Sequence, residues 1–366
     1  MKNDKRRILF AGGGTAGHLM PAINIALAIR KIDNDCEALF IGKRDGIERG
    51  IVSGYGFAVE EIDVVPMHRT PSGIARFLVH WSRACRQTIR IMETFGPAAV
   101  VGTGGYVSAP AMRMARKKRI PLFIQEQNSL PGLATRFGAK YAEIIFTAYE
   151  KASEYLDSQK CRNVGNPIRS DICDGLKETA YEKFGLSPQK NTLLIVGGSS
   201  GARSINDAVM KLLRQRFLPE GWQLLWQTGK ADYHRIDDSL KSCDSVSVVI
   251  RPFIDDMPSA YALADLAVSR AGAMALAEIE AVGLPSILIP YPHAAGDHQM
   301  LNARVLQDKG AAIVIPEKEK DTRIGDVLSR LFQDADSRQK VGSAARAVAR
   351  PDAAGNIAAA ILARIN

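Results

Sequence analysis

The chain has 366 residues, 46% of them hydrophobic and 24% charged, with a formal net charge of +9. At roughly 150 residues per domain, that length predicts two domains with full cores. The basic excess points to anionic partners such as phosphorylated ligands, nucleic acid or an acidic membrane surface. Cys36, Cys85, Cys161, Cys173 and Cys243 stand far apart with no C-x-x-C spacing. This excludes the familiar zinc sites, argues against a disulfide framework and favours a reducing compartment. The opening MKNDKRR runs into ILFAGGG, too brief an apolar stretch for a signal-peptide core. No run of about 18 apolar residues follows, so the expectation is a protein that is soluble or rests on a membrane without crossing it.

In chain order, residues 7–11 read as a strand, followed by GGGTAGH and a helix over about 21–31. Residues 38–41 read as a second strand and 98–101 as a third, with GTGGYVSAP and a helix rich in Met, Ala and Arg after it. Residues 122–125 and 144–147 give two more. The pattern then restarts: a strand at 192–196, GGSSGARS, a helix from about Ile205, and strands at 224–227, 246–250, 266–269 and 286–290. Strands alternating with helical stretches read as βαβ units around parallel sheets. Two such halves predict a ligand crevice at the carboxyl ends of the strands. The join is expected within 161–169, where Gly165 and Pro167 interrupt regular structure. The expected division is therefore 1–165, 166–350 and a closing helix within 351–366 that packs back on the first half.

The glycine turns carry the chemistry. GGGTAGH follows a strand and opens a helix, where backbone N–H groups and the helix dipole favour an anion. Gly12, Gly14 and Gly17 fit G-x-G-x-x-G, yet the second strand ends in Ile41-Gly42-Lys43-Arg44 and not in the acidic residue a dinucleotide enzyme needs. GGSSGAR has the same context, with Ser199 supplying a hydroxyl. One such turn is as readily structural; several at strand ends favour a nucleotide or pyrophosphate site. Neither turn ends in GK[ST], so no P-loop is present. Asp33-Asn34-Asp35 and Asp334-Ala335-Asp336 read as solvated turns and not as metal ligands. A diphosphate leaving group would be stabilised by helix dipoles and neutral donors, with no required metal or cofactor.

GGGTAGH, GTGGYVSAP, QEQN, VGNPIR, GGSSGAR, FIDDM, SRAGAMALAE and HAAGDHQMLNA occur in one order along nearly the whole chain. In this the chain resembles the bacterial peptidoglycan N-acetylglucosaminyltransferases that act on undecaprenyl-linked substrates. The resemblance implies an α/β fold of two Rossmann-like domains facing a central cleft, the GT-B type. It also implies inverting transfer of GlcNAc from UDP-GlcNAc to the 4-hydroxyl of MurNAc on lipid I, giving lipid II, with no tightly bound metal. By the same resemblance Ser199 and Arg169 contact the nucleotide and Ile254 meets the uracil through its backbone. Ala273, Met274, Ala275, Leu276 and Ala277 form the helix start under the phosphates, and Glu278 takes the ribose hydroxyls. Gln299 contacts the GlcNAc hydroxyls. Thr15, Ala16 and Gly17 reach the donor, and Asn128 contacts the sugar.

Displacement at the anomeric carbon needs a base for the acceptor hydroxyl, and His18 has suitable chemistry near neutral pH. Glu126 is the reserve base or the group that orients His18, and Tyr106 is an acceptor contact. Two departures from the family pattern stand out. Ala16 replaces a further glycine, which narrows backbone freedom there, and Ala275 replaces a common hydroxyl residue; each is expected to weaken donor binding by about 1 kcal/mol.

A lipid-linked acceptor requires membrane contact. Ile74, Phe77, Leu78, Trp81, Cys85, Ile89 and Met92 recur at helical spacing, with Arg76, Arg83, Arg86 and Arg90 off the stripe. The stripe is expected to pack on the sheet. The adjoining flank, Ala75, Val79 and Ser82, together with Arg116-Lys117-Lys118-Arg119, would meet anionic lipids at the cytoplasmic face of the cell membrane, mainly through charge. Cell-wall synthesis proteins are further expected partners. A UDP-GlcNAc 2-epimerase would share the fold but not the lipid-linked acceptor, and a non-catalytic sugar-nucleotide sensor would release no UDP. No aromatic-basic motif supports nucleic-acid binding.

Overall fold

The computed structural model describes residues 6–67, 70–241 and 247–365. Cys243, Val246 and residues 1–5 therefore lie outside the described residues. The first strands are β1 (Arg7–Ala11), β2 (Glu37–Lys43), β3 (Ala58–Ile62), β4 (Ala99–Gly102), β5 (Leu122–Glu126), β6 (Ile144–Thr147) and β7 (Cys161–Asn163). After them come β8 (Asn191–Val196), β9 (Trp222–Gln227), β10 (Val248–Arg251), β11 (Leu266–Ser269), β12 (Ser286–Leu288) and β13 (Ile313–Val314). Among the described residues they make two sheets, ordered β3-β2-β1-β4-β5-β6-β7 and β10-β9-β8-β11-β12-β13. Every strand pair is parallel. The chain divides into two compact units: one runs to Arg169 and takes back the segment from Pro351, and the other is Ser170–Arg350.

In the first unit β1 is central, and Ile8, Leu9, Phe10 and Ala11 are fully buried. That continuous apolar run is what a parallel strand covered on both faces requires. Phe10 stacks on Phe40 of β2 with ring centroids 5.0 Å apart. Helix Ala16–Ile32 covers one face and is joined there by helix Ala353–Leu362, whose Ile357, Ala358, Ile361 and Leu362 enter the same core as Ile23, Ile25 and Ile29. The first helix starts five residues earlier than expected, because Pro21 lies inside it and not at its first turn. Ala16 is its first residue. Alanine is the best residue in a helix, so Ala16 suits this helix start.

Helix Pro71–Phe95 corrects the expectation that its apolar stripe packs on the sheet throughout. Ala84, Thr88 and Met92 are buried, whereas Ile74 and Leu78 are exposed and Phe77 and Trp81 are half-buried. The reason is length. The helix has 25 residues and so spans about 37 Å, while strands of four to seven residues span only about 13–24 Å. Its first half overhangs the sheet.

The second unit buries Trp226 at its centre, and Trp222 packs against Phe332 with centroids 4.5 Å apart. The two Asp-x-Asp sequences serve as turns. Asp33 follows a helix and pairs with Arg6 at 2.8 Å, and Asp334 caps helix Ala335–Val348 by accepting the Ser337 N–H.

Candidate active site

Sheet order decides where functional side chains gather. In the first unit β1 lies between β2 and β4, so the turns leaving the carboxyl ends of β1 and β4 emerge side by side. In the second unit β8 lies between β9 and β11 in the same way. These are topological switch points, where open α/β sheets leave a crevice.

At the first switch point Thr15 is the N-cap of helix Ala16–Ile32, and its hydroxyl makes no capping bond. Thr15 and Gly17 are exposed, and His18 is half-buried in the first helical turn. The β4 turn closes over the imidazole. Gly104 and Gly105 have φ of 93° and 73°, and a Cβ on them would lie 3.0 Å from His18 Nδ1 and 3.1 Å from His18 Cδ2. The Gly105 Cβ would also meet the Gly13 carbonyl oxygen at 2.1 Å. The glycines of GTGG are thus the cradle of the histidine ring. Thr103 Oγ1 donates to the His18 carbonyl at 2.7 Å and ties the two turns together.

The ring itself is held by Gln127, whose Oε1 lies 3.0 Å from His18 Nδ1. This corrects the expectation that Glu126 orients His18. The Glu126 carboxylate is buried and accepts instead from the Asn128 N–H at 3.0 Å, the Asn128 side-chain amide at 3.2 Å and the Gly132 N–H at 3.1 Å. It shapes the loop that presents Asn128. A second buried carboxylate, Glu48, accepts the Gly14 N–H at 2.6 Å and braces the first glycine turn. Tyr106 is half-buried beside it. Burial, and then the Glu48 charge, push the Tyr106 phenol up, so it remains a donor at neutral pH.

In the second unit, helix Ala273–Val282 begins directly after SRAG. The Leu276 N–H already bonds to the Gly272 carbonyl and its side chain is in the core. The helix end that could meet an anion is therefore the turn of Ala273, Met274 and Ala275, ahead of Leu276 and Ala277. Glu278 lies one turn further on and accepts from the Tyr261 hydroxyl at 3.0 Å. Burial, and next the Glu278 charge, drive the Tyr261 phenol well above its ordinary range, so it donates at any working pH.

Ile254 is buried and its N–H donates to Gln227 Oε1 at 2.8 Å. Gln227 Nε2 in turn donates to the Gly198 carbonyl, 2.9 Å away in the GGSSGAR turn. Ser199 is exposed and lines a cavity of about 570 Å³ with Ser200, Lys230, Phe253 and Asp255. Gln299 Oε1 accepts the Tyr291 N–H at 2.9 Å. Arg169 is half-buried at the end of the first unit.

Arg270 ties the turns of the second unit together. It reaches the Ile289 carbonyl at 3.0 Å, the Pro290 carbonyl at 3.2 Å, Glu317 at 2.5 Å and Ser204 Oγ at 2.9 Å. Burial alone would raise the Glu317 carboxyl; Arg270 and the Ser204 hydroxyl outweigh it and hold the group below its ordinary range. Another cavity, about 600 Å³, is lined by Cys173, Asp265, Pro285, Arg338 and Arg346. Its lining includes Tyr261 and the residues just ahead of β11 and β12, Asp265 and Pro285.

With the geometry in view, the comparisons decide the family. The glycosyltransferase family 28 N-terminal domain model matches residues 8–147, and the family 28 C-terminal domain model matches residues 192–357. The chain belongs to glycosyltransferase family 28. A curated relative of Listeria monocytogenes serotype 4a is 37% identical over 363 residues, which is 97% of this chain and 99% of the relative. That relative is named UDP-N-acetylglucosamine--N-acetylmuramyl-(pentapeptide) pyrophosphoryl-undecaprenol N-acetylglucosamine transferase. The crystal structure of Acinetobacter baumannii MurG matches with a TM-score of 0.76 and 25% identity, covering 98% of this chain and 99% of that one. A UDP-GlcNAc 2-epimerase from Neisseria meningitidis shares the fold at a TM-score of 0.69, with 13% identity, covering 98% of this chain and 99% of that one.

Within this family 28 chain the residues missed from sequence are Glu48, Gln127, Gln227, Tyr261 and Arg270. Of these Gln127 carried a usable signal. It sits in QEQN at the carboxyl end of β5, beside β4, where a side chain can reach the β4 turn.

The cradle makes a direct prediction. Gly105→Ala places a side chain at positive φ and against Gly13, costing at least about 1–2 kcal/mol before the clash is counted. Thermal unfolding should show a lowered midpoint. Gly132→Ala, with nothing within 4 Å of the new Cβ, should leave it unchanged.

Proposed function

We propose that this family 28 member transfers GlcNAc from UDP-GlcNAc to the 4-hydroxyl of MurNAc on an undecaprenyl-pyrophosphoryl pentapeptide, with inversion at the anomeric carbon. The observation that carries the reading is 37% identity to a transferase of that name over an alignment spanning 97% of the chain. The site chemistry supports it. The helix end at Ala273, Met274 and Ala275 offers the diphosphate amide donors and a positive dipole end. Glu278 suits a ribose diol, the Ile254 carbonyl suits an imide N–H, and Ser199 and Arg169 suit the remaining polar groups of the nucleotide. Gln299 keeps its side-chain NH₂ for a sugar hydroxyl.

The first unit supplies the reacting end. Thr15, Ala16, Gly17, Tyr106 and Asn128 surround the turn that presents His18, and these groups handle the acceptor and the transferred sugar. The acceptor oxygen forms its bond to C1 as the C1–O bond to the diphosphate breaks, its electron pair leaving on UDP. The acceptor proton passes to His18 Nε2. The charge developing on the diphosphate is met by the helix amides.

The overhanging half of helix Pro71–Phe95 supplies the membrane contact in this reading. Ile74, Leu78 and Val79 are exposed, as are Leu133, with 76% of its surface accessible, and Phe137. The rings of Phe77, Trp81, Phe137 and Tyr141 form a continuous ladder, and Arg116 lies 4.1 Å over Tyr141. Arg116, Lys117, Lys118 and Arg119 are all exposed beside it. Among the described residues no helix is long and apolar enough to cross a membrane. An apolar patch rimmed with cations fits peripheral attachment to the anionic cytoplasmic face.

Two experiments test this reading. UDP release from UDP-GlcNAc should depend on a lipid I analogue, and His18→Ala should lower kcat by about 10²–10⁴-fold with the donor KM little changed. Absence of acceptor-dependent release in the wild type would sink the transferase reading, and full activity of His18→Ala would remove His18 as base. In the second, sedimentation with anionic vesicles should fall as salt screens the basic rim. Leu78→Ser with Leu133→Ser should weaken binding even at high salt; unchanged binding would leave charge as the sole contact.

A further inference from the structure

The residue that sets the proton position on His18 can be read from the amide network behind it. Gln127 is 2% exposed, and its side-chain nitrogen lies 2.9 Å from the Thr103 carbonyl and 3.2 Å from the Gln125 carbonyl. A backbone carbonyl can only accept, so the Gln127 atom facing these two must be the NH₂ group. The other end, Oε1, therefore faces His18. A second chain of bonds leads to the same orientation. Asn166 donates to the Gln127 carbonyl at 3.1 Å, and its own carbonyl accepts from Gln125 Nε2 at 3.1 Å. That turns Gln125 Oε1 toward Gln127 Nε2, to which it is hydrogen-bonded. Gln125, Gln127 and Asn166 are all at least nine-tenths buried, so each amide is oriented by obligate acceptors and not by solvent.

We propose that Gln127 is the positioning residue that holds His18 as its Nδ1–H tautomer, leaving Nε2 bare to take the acceptor's proton. An amide oxygen 3.0 Å from Nδ1 can be satisfied only by a proton on that nitrogen. Once Nε2 has taken a proton, the Nδ1–H bond to Gln127 persists, so the ring need not reorient during the reaction. Gly104 and Gly105 add the steric half of the device, because a Cβ on either would press against the imidazole that Gln127 holds. The amide does this without adding a negative charge beside the base.

The inference rests on the reading of His18 as base, but its test does not. Long-range ¹H–¹⁵N correlation spectra of the full-length protein carrying ¹⁵N-histidine would report the tautomer, with His18→Asn used to assign the signal. The wild-type spectrum, taken where the ring is neutral, should show Nδ1 protonated and Nε2 bare. Gln127→Leu should move the proton to Nε2, and Gln127→Glu, which keeps an acceptor, should return it to Nδ1. With Gln127→Leu, kcat should fall by about 10–100-fold while the UDP-GlcNAc KM changes by less than about two-fold.

An Nε2–H tautomer in the wild type would overturn the proposal, and that spectrum decides even if Gln127→Leu does not fold. A fall in kcat with the tautomer unchanged would also overturn it, since Gln127 would then be only structural. Activity of His18→Ala would remove the base while leaving the assignment of the tautomer to the spectra.

Discussion

The position of β1 between β2 and β4 is the constraint on which the rest of the catalytic turn depends. A parallel sheet built outward in both directions from one central strand sends its neighbouring connections to opposite faces, and the turns at its carboxyl edge are left without a covering helix between them. His18 comes from the β1 turn, its glycine cradle and Thr103 from the β4 turn, and Gln127 from the end of β5. These side chains are far apart in sequence and meet because adjacent strands end at one edge. The second unit repeats the solution: the β8 turn carries Ser199, the β11 turn opens the helix of Ala273, and Arg270 of that turn reaches Ser204 on the helix after β8 and the Ile289 and Pro290 carbonyls after β12.

The two units use different physical means for different tasks. Around His18 the orienting groups are neutral amides anchored on backbone carbonyls, which fix direction without adding charge next to the imidazole. In the second unit the devices are ionic or strongly polarised: the Arg270–Glu317 pair, the Tyr261 hydroxyl on the Glu278 carboxylate, and a helix end. A permanently anionic ligand warrants fixed dipoles and charges, which cost little reorganisation when it binds. Glu48 and Glu126 act on backbone N–H groups of their loops and so hold shape.

Much of this was legible in the residues. The strands at 7–11, 144–147 and 266–269 are apolar runs with sharp polar or glycine boundaries, and they form over those residues. β7 and β13, of three and two residues, are too short to show a period. Pro21 misled the helix start, since proline favours a first turn and here sits in the sixth position. The apolar stripe of helix Pro71–Phe95 was correctly periodic, but periodicity does not say how far the sheet extends beneath it. His18 and Glu278 were readable from their motifs. Their pairings were not: Gln127, though placed by QEQN at a strand end, lies 109 residues from His18, and Tyr261 reaches Glu278 from a separate helix.

The central claim is a division of labour: the β8 and β11 turns bind the nucleotide, while the β1 and β4 turns perform the proton transfer. Calorimetric titration with UDP tests it most directly. Glu278→Ala and Tyr261→Phe should weaken UDP binding by about ten-fold or more, the scale of a hydrogen bond involving a charged group. His18→Ala should bind UDP as the wild type does. Equal losses for His18→Ala and Glu278→Ala, or undiminished binding by Glu278→Ala, would contradict the account.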